Sequence, residues 1–189
     1  MKRALSLVAA LLTLSCGARS FESRSTPQGS PTKGTSGAAA EAGSGTWSEC
    51  YASFTPSGDA RADLNRMTRA CGKVGKMRAV TPVTHAKQAE QDPVDRYTFY
   101  VPKAGACYRV YAVGNRGVAD LDLLVRDPRG QDVVADLTHD AFPVLPPNGP
   151  LCFDAPGLYL LEVSVHQGEG GYAIQVWGNP DGVGNSPAK

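Results

Sequence analysis

The chain has 189 residues and a formal net charge of +1, with 19 Lys and Arg residues against 18 Asp and Glu residues. Because the two signs are interleaved, the composition predicts neither a nucleic-acid surface nor a polybasic patch for anionic lipid. The part between about residues 46 and 179 is long enough for one domain with a hydrophobic core and a small appendage.

The N-terminus has the pattern of a secretory leader. Lys2 and Arg3 precede an apolar run from Ala4 to Leu14, and Cys16 follows closely. The run is shorter than the roughly 18–20 residues that span a bilayer, so residues 1–16 are predicted to be a signal peptide. The run and its cysteine resemble the lipobox of bacterial lipoproteins. This implies lipid attachment at Cys16 and anchoring at the outer membrane or cell surface, whereas ordinary cleavage near Ala18 is the alternative.

Residues 17–45 are dominated by Ser, Gly, Thr, Ala and Pro and contain almost no large apolar residue. Such a segment buries too little surface to offset its ordering entropy, so it is predicted to be a disordered tether. A flexible linker of this length has an end-to-end distance of roughly 30 Å. Residues 180–189 are predicted to be a flexible tail.

Two short helices are predicted within residues 46–91, followed by a poorly periodic connection. Thr46 and Glu49 fit a capping box, so the first helix should begin at Thr46. The second helix should begin at Ser57 or Gly58 and end at Gly72. Its apolar face contains Ala60, Leu64, Met67 and Cys71, and its solvated face contains Arg61, Asp63, Arg66 and Arg69. The arginines could form a recognition surface, but a solvated face is the simpler interpretation.

Five cysteines are present, and four remain if Cys16 carries the lipid. An even number in an exported chain is typical of disulfide bonds, and four cysteines permit three pairings. We favour Cys50–Cys71, because both face inward in the hairpin, and Cys107–Cys152, because both lie beside predicted strands. A metal site or a catalytic thiol is the alternative, but no Cys-x-x-Cys pair or Cys/His cluster accompanies these residues.

From residue 92 to residue 179, apolar residues recur at every second position in short runs, which indicates half-buried strands. Strands are predicted around residues 97–101, 107–112, 120–125, 132–136, 151–153, 159–165 and 172–176. Residues 142–147 are predicted to cross the surface irregularly. Six to eight short strands separated by turn signals predict a mainly β fold, an antiparallel β-sandwich preceded by the disulfide-linked helical hairpin.

Several of these strands and turns resemble the pattern of the pre-peptidase C-terminal domain. The matching segments are Asp95–Phe99, Tyr108–Val110, Asp120–Leu123, Asp127–Gly130, Pro156–Tyr159 and Gly171–Ile174. The resemblance implies a jelly-roll-like sandwich of the kind appended to secreted bacterial proteases and other exported proteins. The hairpin and the pair Cys107 and Cys152 depart from that pattern, and the whole arrangement is similar to small bacterial lipoproteins of myxobacterial type.

Enzymatic motifs are missing from the sequence: it contains no nucleophile elbow, no zinc-protease helix and no phosphate loop. Among three histidines, His139 beside Asp140 could be half of an acid–base pair, with a solvated loop histidine as the alternative. The sequence therefore predicts a non-catalytic protein.

Three aspartates were considered as metal ligands. Asp120 and Asp122 are expected to project from the same face of their strand, and Asp127 follows in the turn. Oxygen ligands of this kind suit Ca²⁺. We favour a role in stabilising the turn instead, since aspartates at strand ends accept hydrogen bonds from turn amides. No other cofactor is expected.

Two functional classes remain open from the sequence. The first is a non-catalytic binding or spacer module of the cell envelope, which holds a protein or polysaccharide on an exposed sheet face. Tyr100, Arg109 and Tyr111 would offer aromatic and planar cationic contacts on that face. The second is an accessory subunit or domain of a secreted hydrolase or peptidase.

The predicted anchor can be tested directly. Replacing the lipid acceptor, Cys16→Ser, should move the protein from the membrane pellet to the soluble exported fraction. Fractionation followed by immunoblotting measures this shift, and an unchanged distribution would contradict attachment at Cys16.

Overall fold

A computed structural model describes residues 45–88, 93–136 and 138–181. Cys16, the predicted leader and most of the predicted tether and tail lie outside these ranges. The helices are α1 (Gly45–Ala52) and α2 (Ala60–Cys71), followed by a 3-10 turn at Val74–Lys76. The strands are β1 (Arg78–Ala79), β2 (Thr84–Lys87), β3 (Asp95–Val101), β4 (Cys107–Gly114), β5 (Val118–Arg126), β6 (Asp132–Ala135), β7 (Val144–Leu145), β8 (Leu151–Cys152), β9 (Gly157–Gly168) and β10 (Gly171–Asn179).

The strands form two antiparallel sheets. In sheet 1, β10 and β4 are central; β1 and β2 pair with β10 on one side, and β7 and β8 pair with β4 on the other. Sheet 2 has the order β3-β9-β5-β6. This confirms the predicted mainly β fold with two antiparallel sheets.

The core between the sheets follows the predicted alternation. Tyr108 and Val110 of β4 share one buried cluster with Leu121, Leu123 and Val125 of β5. Successive side chains of a strand point to opposite faces, so these residues all lie on the inner faces of the two sheets.

The helices form a third layer on the outside of sheet 1. Leu64 and Met67 of α2 pack against Tyr111 and Val113, which point away from the core between the sheets. Strand β4 is therefore buried along its whole length. In the described part of the chain, neither helix has the length and apolar content needed to cross a bilayer.

The helix boundaries differ slightly from the prediction. Helix α2 begins at Ala60, with Asp59 as the N-cap residue, whose side chain accepts a hydrogen bond from the backbone of Ala62. The cap accounts for this start, because a short carboxylate satisfies a free amide of the first turn. Helix α1 includes Thr46, whose side chain is outside the described residues.

Asp63 was predicted to lie on the solvated face of α2, but it is buried, with 1% of the residue exposed. Its carboxylate accepts hydrogen bonds from the backbone N–H of Ser57 at 2.6 Å, the Ser57 hydroxyl at 2.9 Å and the Gly58 N–H at 3.0 Å. Arg66 pairs with it at 2.9 Å. This one side chain thus joins the loop between the helices to the first turn of α2.

Both favoured disulfides are present. Cys50–Cys71 joins α1 to α2, and Cys107–Cys152 joins residues that are directly opposite in β4 and β8. The bridges link residues 21 and 45 positions apart. Each is expected to contribute on the order of 3–4 kcal/mol in the chain-entropy model.

Two segments predicted to be irregular contain short strands. The connection after α2 supplies β1 and β2 at the edge of sheet 1, so the sandwich begins well before residue 92. Val144 and Leu145 form β7 and are buried, although residues 142–147 were predicted to lie on the surface. Runs of two to four residues are too short to show a period of two.

The carboxylate of Asp63 should be needed for stability. Asp63→Ala leaves several buried or partly buried donors without an acceptor, so the free energy of unfolding should fall by about 2–4 kcal/mol. Urea unfolding followed by circular dichroism measures the change. Arg61→Ala, an exposed change on the same helix, is the matched control and should cost less than about 0.5 kcal/mol; equal losses would contradict this role of Asp63.

Candidate binding surface

The three residues predicted to form a ligand face do not lie together. Tyr100 is on β3 of sheet 2 and is 64% exposed, whereas Arg109 and Tyr111 are on β4 of sheet 1 and are both 0% exposed. The alternation along β4 was predicted correctly. The prediction of an exposed face was wrong because the helices cover that side of sheet 1.

Arg109 and Tyr111 instead connect the layers of the protein. The Arg109 guanidinium donates hydrogen bonds to the carbonyl oxygens of Pro147 at 3.1 Å and Gly149 at 2.7 Å. The Tyr111 hydroxyl donates to the carbonyl of Cys71 at 3.2 Å. Burial lowers the pKa of Arg109 and raises the pKa of Tyr111. Their contacts are with the protein's own backbone, so they are structural residues.

The outer side of sheet 2 carries no further layer among the described residues. We call it the open face. Strand alternation and register place on it Arg96, Thr98 and Tyr100 of β3, Leu158, Leu160, Glu162 and Ser164 of β9, and Asp122, Leu124 and Arg126 of β5. All of these side chains are exposed or half-buried.

One end of the open face is apolar. Tyr100 lies directly opposite Leu158, and the two are 64% and 55% exposed. Among the described residues, four large hydrophobic side chains are exposed, and two of them form this one cross-strand pair. Directly opposed side chains in antiparallel strands are in contact, so the pair forms a continuous apolar patch.

The centre of the open face is an ion-pair network that crosses all four strands of sheet 2. The Glu162 carboxylate accepts a hydrogen bond from Nε of Arg96 at 3.1 Å and from Nε of Arg126 at 3.0 Å. Arg126 also pairs with Asp132 at 2.8 Å. Burial by itself would raise the pKa of Glu162, but the hydrogen bonds and charges of Arg126 and Arg96 hold that pKa below its ordinary value.

A pocket of about 590 Å³ opens at the end of the sandwich next to Leu158. Its lining includes Asp127, Asp132, Asp154, Phe153 and Tyr159. This volume is within the range of small-molecule sites, roughly 300–1,000 Å³. The lining combines carboxylates with two aromatic rings whose centroids are 4.2 Å apart.

Asp127 stabilises the turn after β5, the role that the sequence analysis favoured. Its carboxylate accepts hydrogen bonds from the backbone N–H groups of Arg129 at 2.8 Å and Gln131 at 2.9 Å. The hydrogen bond from Gln131 is the largest contribution that lowers the pKa of Asp127.

The considered metal ligands Asp120, Asp122 and Asp127 do not converge. Asp120 and Asp127 stand at the two ends of β5, about 23 Å apart at the rise of an extended strand. Asp120 is also 2% exposed, because the pairing of β5 with β9 shifts on both sides of it and turns it inward. In residues 45–88, 93–136 and 138–181, no group of three His, Cys, Asp or Glu side chains could hold a metal ion.

Two Asp–His pairs lie at the start of β5. His139 Nδ1 is 3.3 Å from Asp120 Oδ2, and His166 Nδ1 is 3.5 Å from Asp122 Oδ2. The sequence pattern suggests His139 with Asp140 instead, but the Asp140 carboxylate accepts a hydrogen bond from the backbone of Phe142. The residues of each pair are 19 or more positions apart in the chain and are brought together only by the tertiary structure.

Among the described residues, neither His139 nor His166 hydrogen-bonds a hydroxyl or a thiol. Burial, and then the charge of Asp120, raises the pKa of Asp122.

Comparison with protein-family models and with curated proteins finds no match. Among solved structures, the chain is similar to the 1.0 Å crystal structure of the pre-peptidase C-terminal domain of a collagenase from Bacillus anthracis. The two have 18% sequence identity and a TM-score of 0.40, over 50% of this chain and 87% of that chain. That domain bears the name of the family whose strand-and-turn pattern this sequence resembles.

The network on the open face predicts a specific acid sensitivity. Because the folded-state pKa of Glu162 is lowered, its contribution to stability is present above the ordinary pKa of about 4.3 and is lost as the pH falls through the folded-state value. Glu162→Gln should therefore lower the free energy of unfolding by about 1 kcal/mol or less at pH 7, and this difference from the wild type should shrink as the pH falls. Urea unfolding at a series of pH values measures this, with Glu169→Gln as the control; parallel curves for the wild type and Glu162→Gln would contradict it.

Proposed function

We propose that the chain is a non-catalytic, exported binding module, tethered to the cell envelope, that holds a protein or polysaccharide on the open face. The observation that carries this proposal is the apolar pair Tyr100 and Leu158, exposed on a sheet face that no layer covers among the described residues. Exposed apolar patches on folded domains mark interaction sites more often than scattered single residues do.

The chemistry of the open face suits an extended ligand. The Tyr100 ring can stack on a sugar or an apolar side chain, because an aromatic residue combines a large contact area with a polar end. The Arg96 guanidinium, with its side chain 56% exposed, offers planar hydrogen-bond donors on the same face, four residues away along β3. The network around Glu162 restrains these arginines, which lowers the entropy lost on binding.

The proposed location rests on the leader and on the disulfides. The two disulfide bonds are typical of an oxidising compartment outside the cytoplasm. The leader that ends at Cys16 supports export and a lipid anchor at the outer membrane or cell surface. The protein would then reach its ligand on a tether of roughly 30 Å.

One observation favours a second candidate function, an accessory subunit or domain of a secreted hydrolase. The pocket of about 590 Å³ next to the open face is lined by three carboxylates and two aromatic rings. A docked enzyme could use such a pocket to receive a basic or apolar side chain. Co-purification of hydrolase activity that depends on Asp154, rather than on Tyr100, would favour this candidate.

The open face can be tested with a photoreactive amino acid at position 100. Irradiation of intact envelopes should give defined adducts, and Leu158→Arg should abolish them because it places a charge in the apolar patch. The same photoreactive residue at Val80, an exposed apolar position directly after β1, is the matched control and should give none of these adducts. Tyr100→Ala should also weaken retardation in gels that contain envelope polysaccharide, if the ligand is a polysaccharide, by about fivefold or more in affinity, given about 1–3 kcal/mol for an aromatic contact. Equal adducts at both positions, with unchanged retardation, would contradict the proposal.

A further inference from the structure

The overall charge of +1 conceals a strong separation of charge. Residues 45–88, which contain both helices, have seven Lys and Arg residues against three Asp and Glu residues. Residues 93–181, which contain β3 to β10, have six against eleven. The interleaving seen over the whole chain therefore does not hold within each layer of the fold.

Part of this positive charge forms an exposed row along α2 and just past its end, which we call the basic ridge: Arg61, Arg69 and Lys73. Residues four apart in a helix lie on the same face, so Arg61, Asn65 and Arg69 form a row about 12 Å long. Nε of Arg69 donates to the carbonyl of Asn65 at 3.0 Å, which agrees with this row. Lys73 lies four residues further on, just past the end of α2.

The nearby carboxylates do not neutralise the basic ridge. Asp63 is buried and pairs with Arg66, which is why Arg66 is not counted in the ridge. Asp59 caps helix α2 with its side chain. In the described part of the chain, no residue of the ridge forms an ion pair.

Several acidic residues lie on the other side of sheet 1, whereas Glu49 and Asp59 are exposed in the helical layer. Asp122, Asp127 and Asp132 belong to the strands and turn of sheet 2, while the helices cover the opposite side of sheet 1. A negatively charged surface would therefore attract the helical layer and repel sheet 2. Such a charge distribution selects one orientation of the protein at a charged surface.

We propose that the basic ridge docks the folded domain on the anionic phospholipid headgroups of the membrane that holds its anchor. The predicted tether ends at Gly45, where α1 begins, and the Cys50–Cys71 bridge joins α1 to α2. The helical layer is thus the folded part nearest to the anchor along the chain. A tether of roughly 30 Å keeps the ridge at a high effective concentration near the headgroups.

Docking of this kind has a consequence for the open face. With the helical layer against the headgroups, sheet 2 lies on the far side of sheet 1, so the open face is directed away from the bilayer. Each basic residue near an anionic membrane changes the partition coefficient about fivefold, so the weak contacts add to a useful affinity. The inference rests on the predicted anchor and not on the ligand proposed for the open face.

Vesicle co-sedimentation tests the inference with the full chain carrying Cys16→Ser, so that no attached lipid contributes. Binding to vesicles of phosphatidylglycerol and phosphatidylcholine should exceed binding to phosphatidylcholine alone and should fall as salt is added. The triple variant Arg61→Gln, Arg69→Gln and Lys73→Gln should reduce binding to the anionic vesicles at least tenfold. The double variant Arg61→Lys and Arg69→Lys keeps the positive charge and should retain most of the binding to the anionic vesicles.

The matched control removes the same charge elsewhere, with Lys87→Gln, Lys103→Gln and Arg129→Gln. It should retain binding, and thermal melting should show that both triple variants are folded. Equal losses in the two triple variants, or equal binding to neutral and anionic vesicles, would overturn the inference. Binding to soluble polyphosphate without binding to vesicles would also overturn it. Photo-crosslinking at position 100 is a separate readout, so failure of docking and failure of the proposed function can be distinguished.

Discussion

Burial of β4 on both faces is the constraint on which the rest of the structure depends. Tyr108 and Val110 enter the core between the sheets, while Tyr111 and Val113 are covered by α2. A strand in this position cannot leave a polar group without a partner, because a buried, unsatisfied group costs about 1–3 kcal/mol. The helices are therefore an integral layer of the fold and not an appendage.

The polar residues of the helical layer follow from this burial. Arg109 and Tyr111 donate hydrogen bonds to backbone carbonyls of the chain segments that pack around them. The Asp63 carboxylate accepts hydrogen bonds from the backbone amides of Ser57 and Gly58, in the loop before α2. Residues that resemble a ligand site in the sequence thus hold the layers together. Binding chemistry is left to the side of the sandwich that has no third layer.

That division also gives the two surfaces of the protein different tasks in our proposals. Sheet 2 presents Tyr100 and Leu158 on a face stiffened by the Glu162 network, which suits a specific ligand. The helical layer presents the basic ridge, whose side chains form no ion pair in the described part of the chain, and this suits a nonspecific anionic surface. One side would hold the ligand while the other sets the orientation at the membrane.

The sequence by itself determined the strand alternation and the sandwich, because both depend on local periodicity and turn signals. It favoured the two disulfide pairs among three possible pairings and the turn role of Asp127, but it did not determine them. Only the tertiary structure decided what covers the second face of each sheet. Alternation shows that Arg109 and Tyr111 share a face, but whether that face meets water or a helix depends on long-range packing. The Asp120–His139 pair depends on where the loop before β7 packs. The inward turn of Asp120 depends on strand register, because a shift of one residue in the pairing reverses the face that a side chain occupies.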